Sequence, residues 1–84
     1  MSEKRLILVV EHNRRNMELL VQFLEKEGYA AQGAVELNGL DEAMGREPPF
    51  DLVLLDLAGF DRSVWERCEK LRKLGIPFLI ISPQ

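Results

Sequence analysis

Leu6-Ile7-Leu8-Val9-Val10-Glu11-His12-Asn13 decides how this chain is read. An apolar run without alternation stops at a carboxylate, an imidazole and an amide. Such a run is expected of a strand covered on both faces, the kind found inside parallel sheets. The pattern returns at Phe50-Asp51-Leu52-Val53-Leu54-Leu55-Asp56, which again ends on a carboxylate. It returns once more at Ile76-Pro77-Phe78-Leu79-Ile80-Ile81, followed by Ser82.

Between these runs the period changes. Met17, Leu20, Val21 and Leu24 fall at i, i+3, i+4 and i+7, and Leu19 and Phe23 widen that stripe. With Asn13 as N-cap and Gly28 just past the end, the spacing predicts a helix over 14–26. Tyr29–Val35 reads as a short strand of small residues at a sheet edge. Leu40–Met44 reads as a short helix after Asn38-Gly39, ended by Gly45 and Pro48-Pro49. Ser63 and Glu66, three apart, form a capping-box pattern that opens a third helix. Val64, Cys68 and Leu71, extended by Trp65 and Leu74, supply its apolar face, and Gly75 stops it. The order is β-α-β-α-β-α-β, which implies a parallel sheet with helices on its faces.

The totals bound the function classes. At 84 residues the chain makes one small domain, residues 1–84, burying about 60% of its unfolded surface. Its net charge of −3 is mixed along the chain, which argues against a nucleic-acid partner. A single Cys forms no internal disulfide and no metal-type spacing, and Cys68 reads as a packing residue. The apolar run at 6–10 is too short for a signal-peptide core or a membrane span, so the expected location is cytoplasmic, with no membrane partner. Gly28, Gly33 and Gly39 do not make a dinucleotide motif.

In an open parallel sheet, ligands gather beyond the carboxyl ends of the strands. Glu11-His12, Asp56 and Ser82 all end strands at that rim, and right-handed crossovers bring such ends together. Neighbouring carboxylates invite a divalent cation with oxygen ligands. An Asp beside such a cation is a competent nucleophile toward a phosphoryl group, giving an acyl phosphate.

These residues resemble a known family. "ILVVEHN", "PPFDLVLLDL" and "IPFLIIS" are similar to the first, third and fourth strands of bacterial response-regulator receiver domains. The resemblance covers nearly the whole chain and implies a flavodoxin-like fold with strand order 2-1-3-4-5. It places Asp56 at the phosphoacceptor position and Glu11 at the first acidic position of a Mg2+ pocket. The Ala58 backbone carbonyl falls at a metal-ligand position, and Ser82 where a hydroxyl hydrogen-bonds the phosphoryl group. His12 stands where the family carries a second acid, and imidazole is a poor ligand for Mg2+. Ala58-Gly59-Phe60-Asp61 replaces the usual loop after the acceptor. The chain ends after the fourth strand, so the family's fifth strand and its Lys are absent, and Lys70 and Lys73 point elsewhere.

Two functions follow. The first is a degenerate, non-enzymatic receiver (a pseudo-receiver) that works as a phosphorylation-independent protein-interaction or dimerisation module in bacterial signalling. It would bind Mg2+ weakly or not at all. The second is a phosphoryl-accepting switch at Asp56, completed by a partner or second subunit. An apolar fourth strand with no neighbour invites another chain and predicts a homodimer through that edge. The alternative is that residues 1–84 are a fragment of a longer protein.

Overall fold

The computed structural model describes residues 4–46 and 50–81. Its elements run β1 (Leu6–Val10), α1 (Arg14–Lys26), β2 (Ala30–Ala34), α2 (Leu37–Met44), β3 (Leu52–Asp56), α3 (Val64–Leu74) and β4 (Phe78–Ile81). The strands form one parallel sheet, as the alternation of strands and helices predicts, in the order β2-β1-β3-β4 that the resemblance implies.

The sheet explains why β1 carries no polar alternation. Leu8 and Val10 face a cluster that includes Leu40, Val53, Leu55, Val64, Cys68 and Leu71, built largely from α2 and α3. Ile7 and Val9 face the opposite cluster with Met17 and Leu24 of α1. Leu40, Leu55, Leu71, Val9, Val10 and Val53 are the largest fully buried side chains. Each contributes about 1.5–3 kcal/mol by leaving water.

Helix α1 takes the predicted bounds. The Asn13 side chain accepts a 3.0 Å hydrogen bond from the Asn16 amide, and Gly28 at φ +95 leaves the helix in a left-handed conformation. Met17 lies so close to Gly33 of β2 that a Cβ there would sit 1.9 Å from the Met17 Sδ. Leu19 and Phe23 do not widen the buried stripe; both are exposed. The periodic pattern finds the core face of α1 and overstates its width.

Two helix starts differ from expectation. Helix α2 begins at Leu37, before Asn38-Gly39 rather than after it. Gly39 sits inside this helix because it packs on β2, where an added Cβ would lie 2.7 Å from that of Ala34. The capping box at Ser63 and Glu66 does not form. Ser63 is already helical and makes no side-chain cap; its amide donates to Asp61 Oδ1 at 2.9 Å, and its hydroxyl also donates to Asp61. An Asx turn at Asp61 has replaced the cap. Val64, Cys68 and Leu71 are buried as expected, whereas Trp65 and Leu74 are exposed. Gly75 ends α3 at φ +74. Pro48, Pro49, Ser82 and Pro83 lie outside the described residues. No described helix is long and apolar enough to cross a membrane.

Candidate functional site

The site grows from the carboxyl ends of β1 and β3, which are adjacent strands with Val10 opposite Leu55. One residue further on each strand come Glu11 and Asp56, and both side chains are buried, at 5% and 7% exposure. The Glu11 amide donates to the Ala34 carbonyl at 3.0 Å, holding the rim of β1 to β2. Glu11 Oε1 accepts from the Asn13 amide at 3.2 Å, and Asp56 Oδ1 accepts from the Ala58 amide at 2.9 Å. Each carboxylate is thus steadied by the backbone two residues ahead.

The two acids share one environment. Burial pushes the Glu11 carboxyl above its ordinary range, and the neighbouring Asp56 carboxyl pushes it the same way. The Asn13 amide and His12 pull it back only in part. A buried acid pair stabilises a shared proton or a cation.

His12 takes another course. Its ring meets Phe60 edge-on, with centroids 5.6 Å apart and planes at 73°. Gly59, at φ +86, passes against it: a Cβ there would lie 2.8 Å from His12 Cδ2. His12 and Phe60, with Glu36, Leu37, Asn38, Asp61, Ser63 and Arg67, border an open groove beside the acid pair. Arg67 closes its floor by a two-pronged ion pair to Asp41, at 3.0 and 2.9 Å, joining α3 to α2. Asp41 is held below the usual carboxylate range by Arg67.

The donor set tests the fit of a divalent cation. Glu11 and Asp56 supply hard carboxylate oxygens, and Ala58 follows on the same loop. Among the described residues no group of three His, Cys, Asp or Glu comes together to hold a metal. Two carboxylates suit an ion such as Mg2+ that keeps most of its water, while the third side-chain ligand is missing. His12 belongs to the packing of the loop, not to the carboxylate cluster.

Of the residues singled out in the sequence, Glu11, Asp56 and Ala58 converge at one rim, and Ser82 lies outside the described residues. Lys70 and Lys73 are exposed on α3. Sequence reasoning missed the Arg67–Asp41 pair and the Asp61 turn. The Asp61-Arg62-Ser63 spacing, an Asx-turn signal, was available for the second.

No family model matches the chain. It is 37% identical over 90 residues to a probable transcriptional regulatory protein of Picosynechococcus sp., covering 98% of this chain and 36% of that protein. The chain therefore spans about a third of its curated relative. Among solved structures it resembles the response regulator StyR, with a TM-score of 0.79 and 24% identity over 98% of this chain and 42% of that one. It also resembles the signal receiver domain described for a Luxo repressor protein of Vibrio parahaemolyticus, with a TM-score of 0.75 and 22% identity, covering 95% of this chain and 61% of that one. Four parallel strands in the order β2-β1-β3-β4, acids at the ends of β1 and β3, and these likenesses agree: the chain has the flavodoxin-like fold of response-regulator receiver domains.

Proposed function

We propose that this domain is a degenerate receiver: a protein-interaction module of bacterial signal transduction that works without phosphorylation, and a binding domain rather than an enzyme. The observation that carries this reading is the place of His12. Its ring is committed to Phe60 and the Gly59 backbone, so the loop after Asp56 is packed on an imidazole where a metal-binding acid would serve phosphorylation. Glu11, Asp56 and the Ala58 carbonyl would hold Mg2+ weakly. The partner is a signalling protein in the cytoplasm.

A second reading rests on a different observation, the burial of Glu11 and Asp56 side by side. It makes Asp56 a phosphoacceptor, with Ser82 donating to the phosphoryl group and the site completed by a partner or second subunit. The chemistry Mg2+ supplies when bound is charge neutralisation on the incoming phosphoryl oxygens. Incubation with Mg2+ and acetyl phosphate, read by intact mass beside Asp56→Asn, separates the two. No adduct, under conditions that label an ordinary receiver, is the expected result. An adduct lost in Asp56→Asn overturns the degenerate reading.

A further inference from the structure

The open groove bordered by His12 and Phe60 has a volume of about 350 Å³. It lies between the loops after β1, β2 and β3, and no residue of β4 borders it. Its side chains hold more free acceptors than free donors. Glu36, at the N-cap position of α2, makes no cap hydrogen bond and has no ion-pair partner among the described residues. Asp61 takes both Ser63 bonds on Oδ1, which leaves Oδ2 open. Asn38 donates from Nδ2 to Glu42 at 3.4 Å, which leaves its amide oxygen free to accept.

The fixed cation at this groove is already spent. Arg67 commits Nε and Nη2 to Asp41 and Nη1 to the Ser63 carbonyl at 3.2 Å, so its charge is answered inside the fold. The Ser63 bonds hold the Asp61 carboxyl below the usual carboxylate range, which keeps it charged at neutral pH. Two carboxylates therefore border the groove without a counter-charge. The rest of its lining is apolar: Phe60 and Leu37 pack on the α2–α3 side of the core and also border the groove. Carboxylates beside an aromatic ring suit a guanidinium, which is flat, weakly hydrated and forked toward carboxylate oxygens. An ammonium is a compact, strongly hydrated charge and uses such a wall less well.

We propose that this groove takes an arginine side chain of a protein partner, its guanidinium lying against Phe60 and forking toward Glu36 and Asp61. The proposal rests on the reading of the domain as a protein-interaction module and names the chemistry that the partner presents. It asks nothing of Glu11 or Asp56, which stand beside the groove and not in its lining. Shape, free acceptors and uncompensated charge coincide at one place, and a guanidinium answers all three.

The probe is a capped Gly-Arg-Gly peptide, titrated into the full chain at low, matched ionic strength and followed by backbone amide NMR. Saturable shifts are expected at Leu37, Asn38, Gly59 and Phe60. The same peptide with citrulline in place of arginine, neutral and nearly the same shape, should leave those amides unmoved. Glu36→Gln and Asp61→Asn should each weaken binding about two- to fivefold, the range for an exposed ion pair. Asn keeps an acceptor for the Asx turn at 61, and Glu36 has no hydrogen bond or ion pair among the described residues to lose, so the dispersion of the spectrum should persist in both. Shifts that fail to saturate, that citrulline reproduces or that both variants leave intact overturn the proposal. So do groove amides that shift when the peptide-free protein is diluted, because a second copy then occupies the groove. The acetyl phosphate result is read separately: an adduct on a chain that still takes the peptide overturns the degenerate-receiver reading and leaves the groove's ligand standing.

Discussion

His12 and Phe60 meet edge to face, 5.6 Å between ring centroids, across the backbone of Gly59. This contact sets a packing element at the rim beside Glu11, and it ties the end of β1 to the loop before α3. Gly59 allows it twice over, by adopting φ +86 and by presenting no Cβ to the imidazole. Gly59→Ala is expected to cost about 1–3 kcal/mol, the range for a non-glycine residue in a left-handed conformation. Part of that cost comes from the 2.8 Å approach to His12 Cδ2. The loss in Gly59→Ala should therefore shrink in a His12→Ala background, as a double-mutant cycle in urea will show. Strict additivity would mean that the imidazole does not press on this loop.

Gly33 offers a second close approach. A Cβ there would collide with the Met17 Sδ, so Gly33→Ala must push α1 away from β2 or force Met17 out of its rotamer. Overpacking of this kind costs about 1–3 kcal/mol. Met17→Ala removes the obstructing thioether, so Gly33→Ala should cost less in that background. Chemical denaturation of the two single variants and the double variant checks it.

The Asp41–Arg67 pair gives a pH dependence. Its carboxyl is lowered, chiefly by the Arg67 hydrogen bonds, so the folded state holds the Asp41 charge more firmly than the unfolded state does. Its stabilisation is present above the unfolded value, about 3.9, and is lost as pH falls through the lower folded value. Both partners are partly exposed, and screening leaves about 0.5–1 kcal/mol. Asp41→Asn should lower the thermal midpoint at pH 7 and flatten the acid limb of stability. Salt at high concentration should narrow the difference from the unaltered chain.

Cys68 is the one thiol, buried among Val64, Leu71 and their neighbours, and burial pushes its thiol above the ordinary value. Both effects suppress the thiolate that reacts. A disulfide reagent should label it slowly in the native protein and rapidly in denaturant, with a native rate that rises as stability falls. Fast labelling at neutral pH would show that α3 opens far more often than its packing implies.

The sequence by itself determined the order of elements. Unalternating runs at Leu6–Val10 and Leu52–Asp56 carry the two-sided burial of central strands, and the 3.6-residue period over 14–26 carries α1, because these patterns are local and one-dimensional. It also placed Glu11 and Asp56 at one rim, since parallel strands joined by right-handed crossovers align their carboxyl ends. Only the tertiary structure decided how the rim is used. That His12 turns to Phe60, that Asp61 and not Ser63 makes the turn before α3, and that Arg67 reaches Asp41 are contacts between segments. Helix α2 begins ahead of Asn38-Gly39 for the same reason: a glycine that breaks a helix in isolation is what lets this one lie against Ala34. Propensity is a property of a segment, whereas close approach is a property of two segments, and the second overrode the first wherever α2, α3 and the loop after Asp56 meet their neighbours.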